Sequence, residues 1–137
     1  MRTFAYTLFV LSAMLQHLSC YAQQTTADKI EGIWKGTSLC QQKQSACHDE
    51  NVVYHISKKA ANLYTIQASK IVNGAEEDMG TFDSVVCNAT KQTLNFTMKD
   101  NQGRNAVWSF KLDGMQMHGT LTINGNTLLR IIELKKS

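Results

Sequence analysis

Apolar and polar positions alternate with a period of two through most of the second half of the chain. Leu94, Phe96 and Met98 alternate with Thr93, Asn95 and Thr97. Ala106, Trp108, Phe110 and Leu112 alternate with Val107, Ser109 and Lys111. Met115, Met117, Gly119 and Leu121 alternate with Gln116, His118, Thr120 and Thr122. This is the pattern of strands with one face buried, because successive side chains leave a strand on opposite sides. Turn signals separate the runs: Asn73-Gly74, Asp100-Asn101-Gln102-Gly103, Asp113-Gly114 and Asn124-Gly125-Asn126. They are rich in residues that tolerate positive φ or make local side-chain turns. Strands are predicted at about 31–40, 50–57, 62–72, 78–87, 92–99, 105–112, 115–123 and 127–135. No helical periodicity competes from residue 30 onward.

Eight strands joined by tight turns make each strand the sheet neighbour of the next. The expected fold is all-β, an eight-stranded antiparallel up-and-down meander barrel. Closure is the simplest way for such a sheet to hide both its edges. A two-sheet sandwich is the alternative, disfavoured because long Greek-key crossovers are hard to find. The complete lack of Pro fits a continuous sheet, where Pro would remove ladder hydrogen bonds.

The first 22 residues have a different pattern. Arg2 is the only charge in the first 27 residues, and an apolar block runs from Phe4 to Leu15 before Gln16 and His17 interrupt it. A single N-terminal charge, a short apolar block and small residues before Gln23 form the layout of a secretory signal. Residues 1–22 are therefore expected to be a signal peptide cut after Ala22, and 23–137 the barrel domain. Lipidation at Cys20 is the competing outcome and would tether the barrel to a membrane. The expected location is secreted or periplasmic.

Removal of that segment leaves 115 of the 137 residues, with 13 Lys and Arg against 11 Asp and Glu. This near-balance argues against a nucleic-acid partner. Lys58-Lys59 and Lys135-Lys136 read as solvated doublets. Three cysteines remain, and an exported chain permits a disulfide. Spacing alone leaves three pairings open; Cys40–Cys47 is favoured because it would close a short polar loop, with Cys87 a buried spare thiol.

Cys40, Cys47, His48, Asp49 and His55 could suggest a metal. Six residues separate the two cysteines, which suits a disulfide better than the tight ligand pairs of zinc sites. His48-Asp49-Glu50 reads as a polar loop entering a strand, and Glu76-Glu77-Asp78 as a solvated acidic tip after the Asn73-Gly74 turn. Asn88-Ala89-Thr90 and Asn95-Phe96-Thr97 are sequons in a glycosylating host. No nucleophile elbow or metalloprotease helix accompanies the Ser, His and Asp residues. The chain is read as a non-enzyme with no cofactor and no metal.

Gly32-Ile33-Trp34 opens the first strand, after an Asp28–Glu31 segment able to form one helical turn, and Arg130 lies on the last strand. A Gly-x-Trp at the first strand and an Arg on the closing strand resemble the lipocalin-like barrels of the calycin superfamily, which includes lipocalins, fatty-acid-binding proteins and avidins. The resemblance implies structural roles for Gly32, Trp34 and Arg130, with Trp34 closing one end of the barrel and Arg130 packed on it. It also implies a second role for Arg130, pairing with a ligand carboxylate. The chain is shorter than most lipocalins and has no room for a helical lid. The start at Gln23-Gln24 after Ala22 resembles exported proteins of the Bacteroidetes type.

The candidate ligand-binding residues are Tyr54, Tyr64, Phe96, Trp108, Phe110 and Met117 with Arg130. Flat rings and flexible thioethers suit an apolar ligand where a cavity exists. The expected function is binding of a small apolar or amphipathic molecule. The alternative is a solid barrel acting as an interaction module, such as a protease inhibitor working through Gln23–Lys29.

Overall fold

A computed structural model describes residues 29–43 and 46–137. The expectations placed on the signal segment 1–22, on Cys20 and on Gln23–Asp28 lie outside the described residues. Lys29 and Ile30 are helical, and eight strands follow: β1 (Gly32–Cys40), β2 (Glu50–Ala60), β3 (Leu63–Val72), β4 (Ala75–Asn88), β5 (Thr93–Lys99), β6 (Asn105–Asp113), β7 (Gln116–Ile123) and β8 (Thr127–Lys136). They pair antiparallel in sequence order, and β1 pairs with β8, so the sheet is a closed up-and-down barrel.

The period-two pattern decides which side chains fill the interior. Leu94 and Phe96 of β5, Phe110 and Leu112 of β6, Met117 of β7 and Ile132 of β8 are all buried. Two glycines let the wall close. A Cβ on Gly36 would lie 1.8 Å from the carbonyl oxygen of Glu133, so Gly at this position permits the close approach of β1 to β8. A Cβ on Gly119 would lie 2.2 Å from the Phe110 ring, which takes the space that a side chain on β7 would need.

Glu76-Glu77-Asp78 is solvent-exposed as its composition suggests, but it lies within β4 and not in a tip. Asn73 and Gly74 both take positive φ, 51° and 80°, so the β3–β4 turn has only two residues and pairing begins at once with Val72 opposite Ala75. A primed turn of this kind matches the twist of the flanking strands, so no residues are left over for a loop. The acidic residues are then spread along the outer wall, where Glu77 meets Lys70 at 3.1 Å and Glu76 meets His55 at 2.7 Å.

The two ends of the barrel differ. At the end where β1 begins, Trp34 is completely buried and its Nε1–H donates to the Ile30 carbonyl at 2.8 Å, so Ile30 and Trp34 form a plug. At the other end, the Cys40–Cys47 disulfide clips the β1–β2 connection with Cα atoms 5.8 Å apart. Cys87 is a buried free thiol, and burial pushes its pKa up.

The wall is incomplete in one place. The β4–β5 ladder has three residue pairs, Val86–Asn95, Cys87–Leu94 and Asn88–Thr93. Two register shifts against β3 bend β4, one between the pairs at Tyr64 and Ile66 and one between those at Ala68 and Ser69. Each adds one unpaired residue to β4, and bulges of this kind bend and twist a strand. Toward the disulfide end, β4 therefore diverges from β5.

Candidate functional site

The opening left by β4 leads into a cavity of about 320 Å3 at the disulfide end of the barrel. Its floor and one wall are aromatic. Phe96 and Trp108 occupy facing positions on β5 and β6, and their rings lie parallel, 5.0 Å apart with 9° between planes. Phe82, brought inward by the bulged β4, lies 4.5 Å from Phe96 and 5.2 Å from Trp108. Such ring pairs add about 0.5–1.5 kcal/mol each beyond the area they bury, so this wall is well fixed. Met79 and Met98 flank the opening and are 40% and 43% exposed, an adaptable apolar rim.

The polar side is built from strand parity. Ser38, Glu50, Tyr54 and Arg130 all point inward from β1, β2 and β8 and line the same cavity. Arg130 Nη1 donates to the Ser38 carbonyl at 3.1 Å, to Ser38 Oγ at 3.2 Å and to the His48 carbonyl at 3.2 Å. It also lies 3.3 Å from Glu50 Oε2, with both side chains mostly buried. A mostly buried guanidinium needs such a partner, because an unpaired charge there would be costly. Burial holds the Tyr54 phenol far above its ordinary pKa, with Arg130 opposing and Glu50 adding to the shift. Its hydroxyl stays protonated at any neutral pH.

These positions revise the residue roles expected from the sequence. Arg130 does not pack on Trp34. The β8 register puts Lys136 opposite Trp34 and Arg130 opposite Cys40, six residues further along. At about 3.3 Å per residue that is roughly 20 Å. The cation over Trp34 is Lys136, whose Nζ lies 5.8 Å from the ring centroid and donates to the Lys29 carbonyl at 2.9 Å.

Of the candidate ligand-binding residues, Tyr54, Trp108 and Arg130 line the cavity, and Phe96 backs Trp108. Tyr64, Phe110 and Met117 are packed in the core below it; Phe110 meets the Tyr54 ring edge-on at 6.0 Å. Gly32 begins β1 with φ 131°, facing Lys136.

Glu50 belongs to β2 and not to the polar loop that its neighbours His48 and Asp49 suggest. It shares strand parity with Val52, Tyr54 and Ile56, and this puts a carboxylate on the inward face at the mouth. Ser38 shares parity with Trp34 in the same way. Met79 escaped the pattern because a bulge shifts its phase.

Neither a protein-family model nor a curated protein matches the chain. Solved structures that resemble it in fold include two small barrels. One is a redesigned beta barrel, at TM-score 0.58 and 14% identity over 84% of this chain and 97% of the other. The other is a mutant of the fluorescent protein UnaG, at TM-score 0.54 and 15% identity over 80% of this chain and 97% of the other. By fold, the chain stands with small closed β-barrels.

Proposed function

We propose that this is an exported binding protein for one small amphipathic molecule, held at the mouth of the barrel. The cavity of about 320 Å3 carries this reading, because it joins an apolar aromatic wall to a small group of polar side chains. Pockets that take small molecules combine these two features at volumes from about 300 Å3. The ligand lies against Trp108 and Phe82, between Met79 and Met98, and enters through the gap between β4 and β5. The Cys40–Cys47 disulfide supports the exported location, since such bonds persist in oxidising compartments.

Native mass spectrometry of protein purified from its own host tests this. The expected spectrum shows one small-molecule adduct per chain, and Ala68→Phe abolishes it without changing the far-ultraviolet circular dichroism. Ala68 is 2% exposed on the cavity wall, so a phenyl ring there fills the space. An adduct-free wild type, or an adduct indifferent to Ala68→Phe, contradicts the proposal.

The packed lower half of the barrel, with Ile30, Trp34, Ile66, Leu94 and Met117 fully buried, favours a second reading. Here the barrel is a scaffold and Gln23–Lys29 engages a protease. Deletion of that segment then abolishes inhibition; inhibition retained after deletion rules the mechanism out.

A further inference from the structure

The polar group of the cavity is unusual in how its charge is used. A lone Arg inside a barrel would favour an anion. Here Glu50 already stands 3.3 Å from Arg130, and the two side chains are only 16% and 17% exposed. A ligand therefore meets a neutral pair with the Glu50 carboxylate at its edge, while the other carboxylate of the lining, Asp100, is paired with Arg104 at 2.7 Å.

Hydrogen-bonding capacity nevertheless remains. Every hydrogen bond that Arg130 makes with the described residues runs through Nη1, to Ser38 and to the His48 carbonyl. Nε and Nη2 have no protein partner among the described residues. The Tyr54 hydroxyl likewise bonds to no described residue, although Tyr54 is 4% exposed. No buried side-chain nitrogen or oxygen lacks a partner among the described residues, so these atoms are open to the cavity or to solvent and not sealed in apolar packing.

We propose that the bound molecule carries an uncharged acceptor, an amide or ketone carbonyl, on a flat aromatic body, and that Glu50 sets this choice. The inference rests on the binding reading above. The ring stacks on the wall of Trp108 and Phe82, and the carbonyl accepts from Arg130 and Tyr54. A carbonyl gives up little hydration and gains a charge-assisted bond. A carboxylate would give up its hydration shell, find the charge of Arg130 already compensated and face the like charge of Glu50.

Isothermal titration with naphthaleneacetamide and naphthaleneacetic acid at neutral pH tests it, since the two probes differ only in the amide against the ionised acid. Wild-type protein is expected to bind the amide about tenfold or more tightly than the acid, the scale of one charge-assisted bond. In Glu50→Gln the acid gains about tenfold while the amide changes by less than about threefold. Arg130→Gln weakens the amide.

Equal or tighter binding of the acid by the wild type overturns the role of Glu50 and leaves the binding site standing, as does a Glu50→Gln variant with an unchanged ratio. The wild-type ratio decides on its own where the variant does not fold. Binding of neither probe overturns the binding reading itself.

Discussion

Gly119 and Phe110 face each other across β6 and β7, and the ring fills the space a β-carbon would occupy 2.2 Å away. Gly119→Ala is expected to cost about 1–3 kcal/mol, the range for overpacking a fixed core. Urea denaturation measures it, and Phe110→Leu in the same background should recover much of the loss, because the two changes share one volume. Trp34 tests the plugged end. Trp34→Ala removes a completely buried indole and is expected to cost about 3–5 kcal/mol. Lys136→Met, which removes the cation beside that ring together with its bond to the Lys29 carbonyl, should cost less, about 1–2 kcal/mol.

The residue scale is also where sequence and structure part. The period-two pattern identified inward positions such as Trp108 and Phe96, and nothing in it distinguished a packed ring from a cavity wall. Tyr64, Phe110 and Met117 have the same alternation as Trp108, yet they lie below the cavity. The partner of Arg130 depends on the β1–β8 register, a pairing between the two ends of the chain that local spacing does not encode.

At the scale of elements, the strand plan was legible almost throughout, because tight turns with Asn and Gly leave little freedom in how neighbours pair. The exception was β4. Its bulges change phase twice, so Met79 and Phe82 did not stand out as cavity residues, and its divergence from β5 was hidden. Hydrogen exchange is expected to show that divergence: amides of Ala75–Val85 that point away from β3 should exchange fast, while those of Val86 and Asn88, which face β5 within the paired ladder, exchange slowly. Uniform protection along β4 would mean that the wall is closed.

The disulfide is a second element-scale test. It closes a loop of about eight residues, so reduction, or the Cys40→Ala and Cys47→Ala double variant, should lower stability by roughly 2.5 kcal/mol by the chain-entropy relation. Denaturant midpoints with and without reductant measure this. The Cys40–Cys47 pairing was one of three left open by spacing; the structure supplies what spacing lacked, a Cα separation of 5.8 Å across the end of β1.

At the scale of the molecule, each end of the closed barrel has a pocket, about 280 Å3 beside Ile30, Gln92, Leu112 and Met115 at the plugged end and about 320 Å3 at the other. Only the second joins stacked aromatic rings to the Arg130 cluster. The plug is marked by the Trp34 indole N–H, which donates to Ile30. The cavity is marked by the indole of Trp108. These are the two tryptophans of the chain, one at each end. A two-dimensional 15N–1H titration of the full domain with naphthaleneacetamide therefore reads both ends at once. Binding at the mouth predicts saturable shifts for the Trp108 indole and the amides of Met79 to Phe82, with the Trp34 indole unmoved. Shifts centred instead on Trp34, Gln92 and Met115, or no saturable shift at all, would contradict the assignment of the cavity as the binding site.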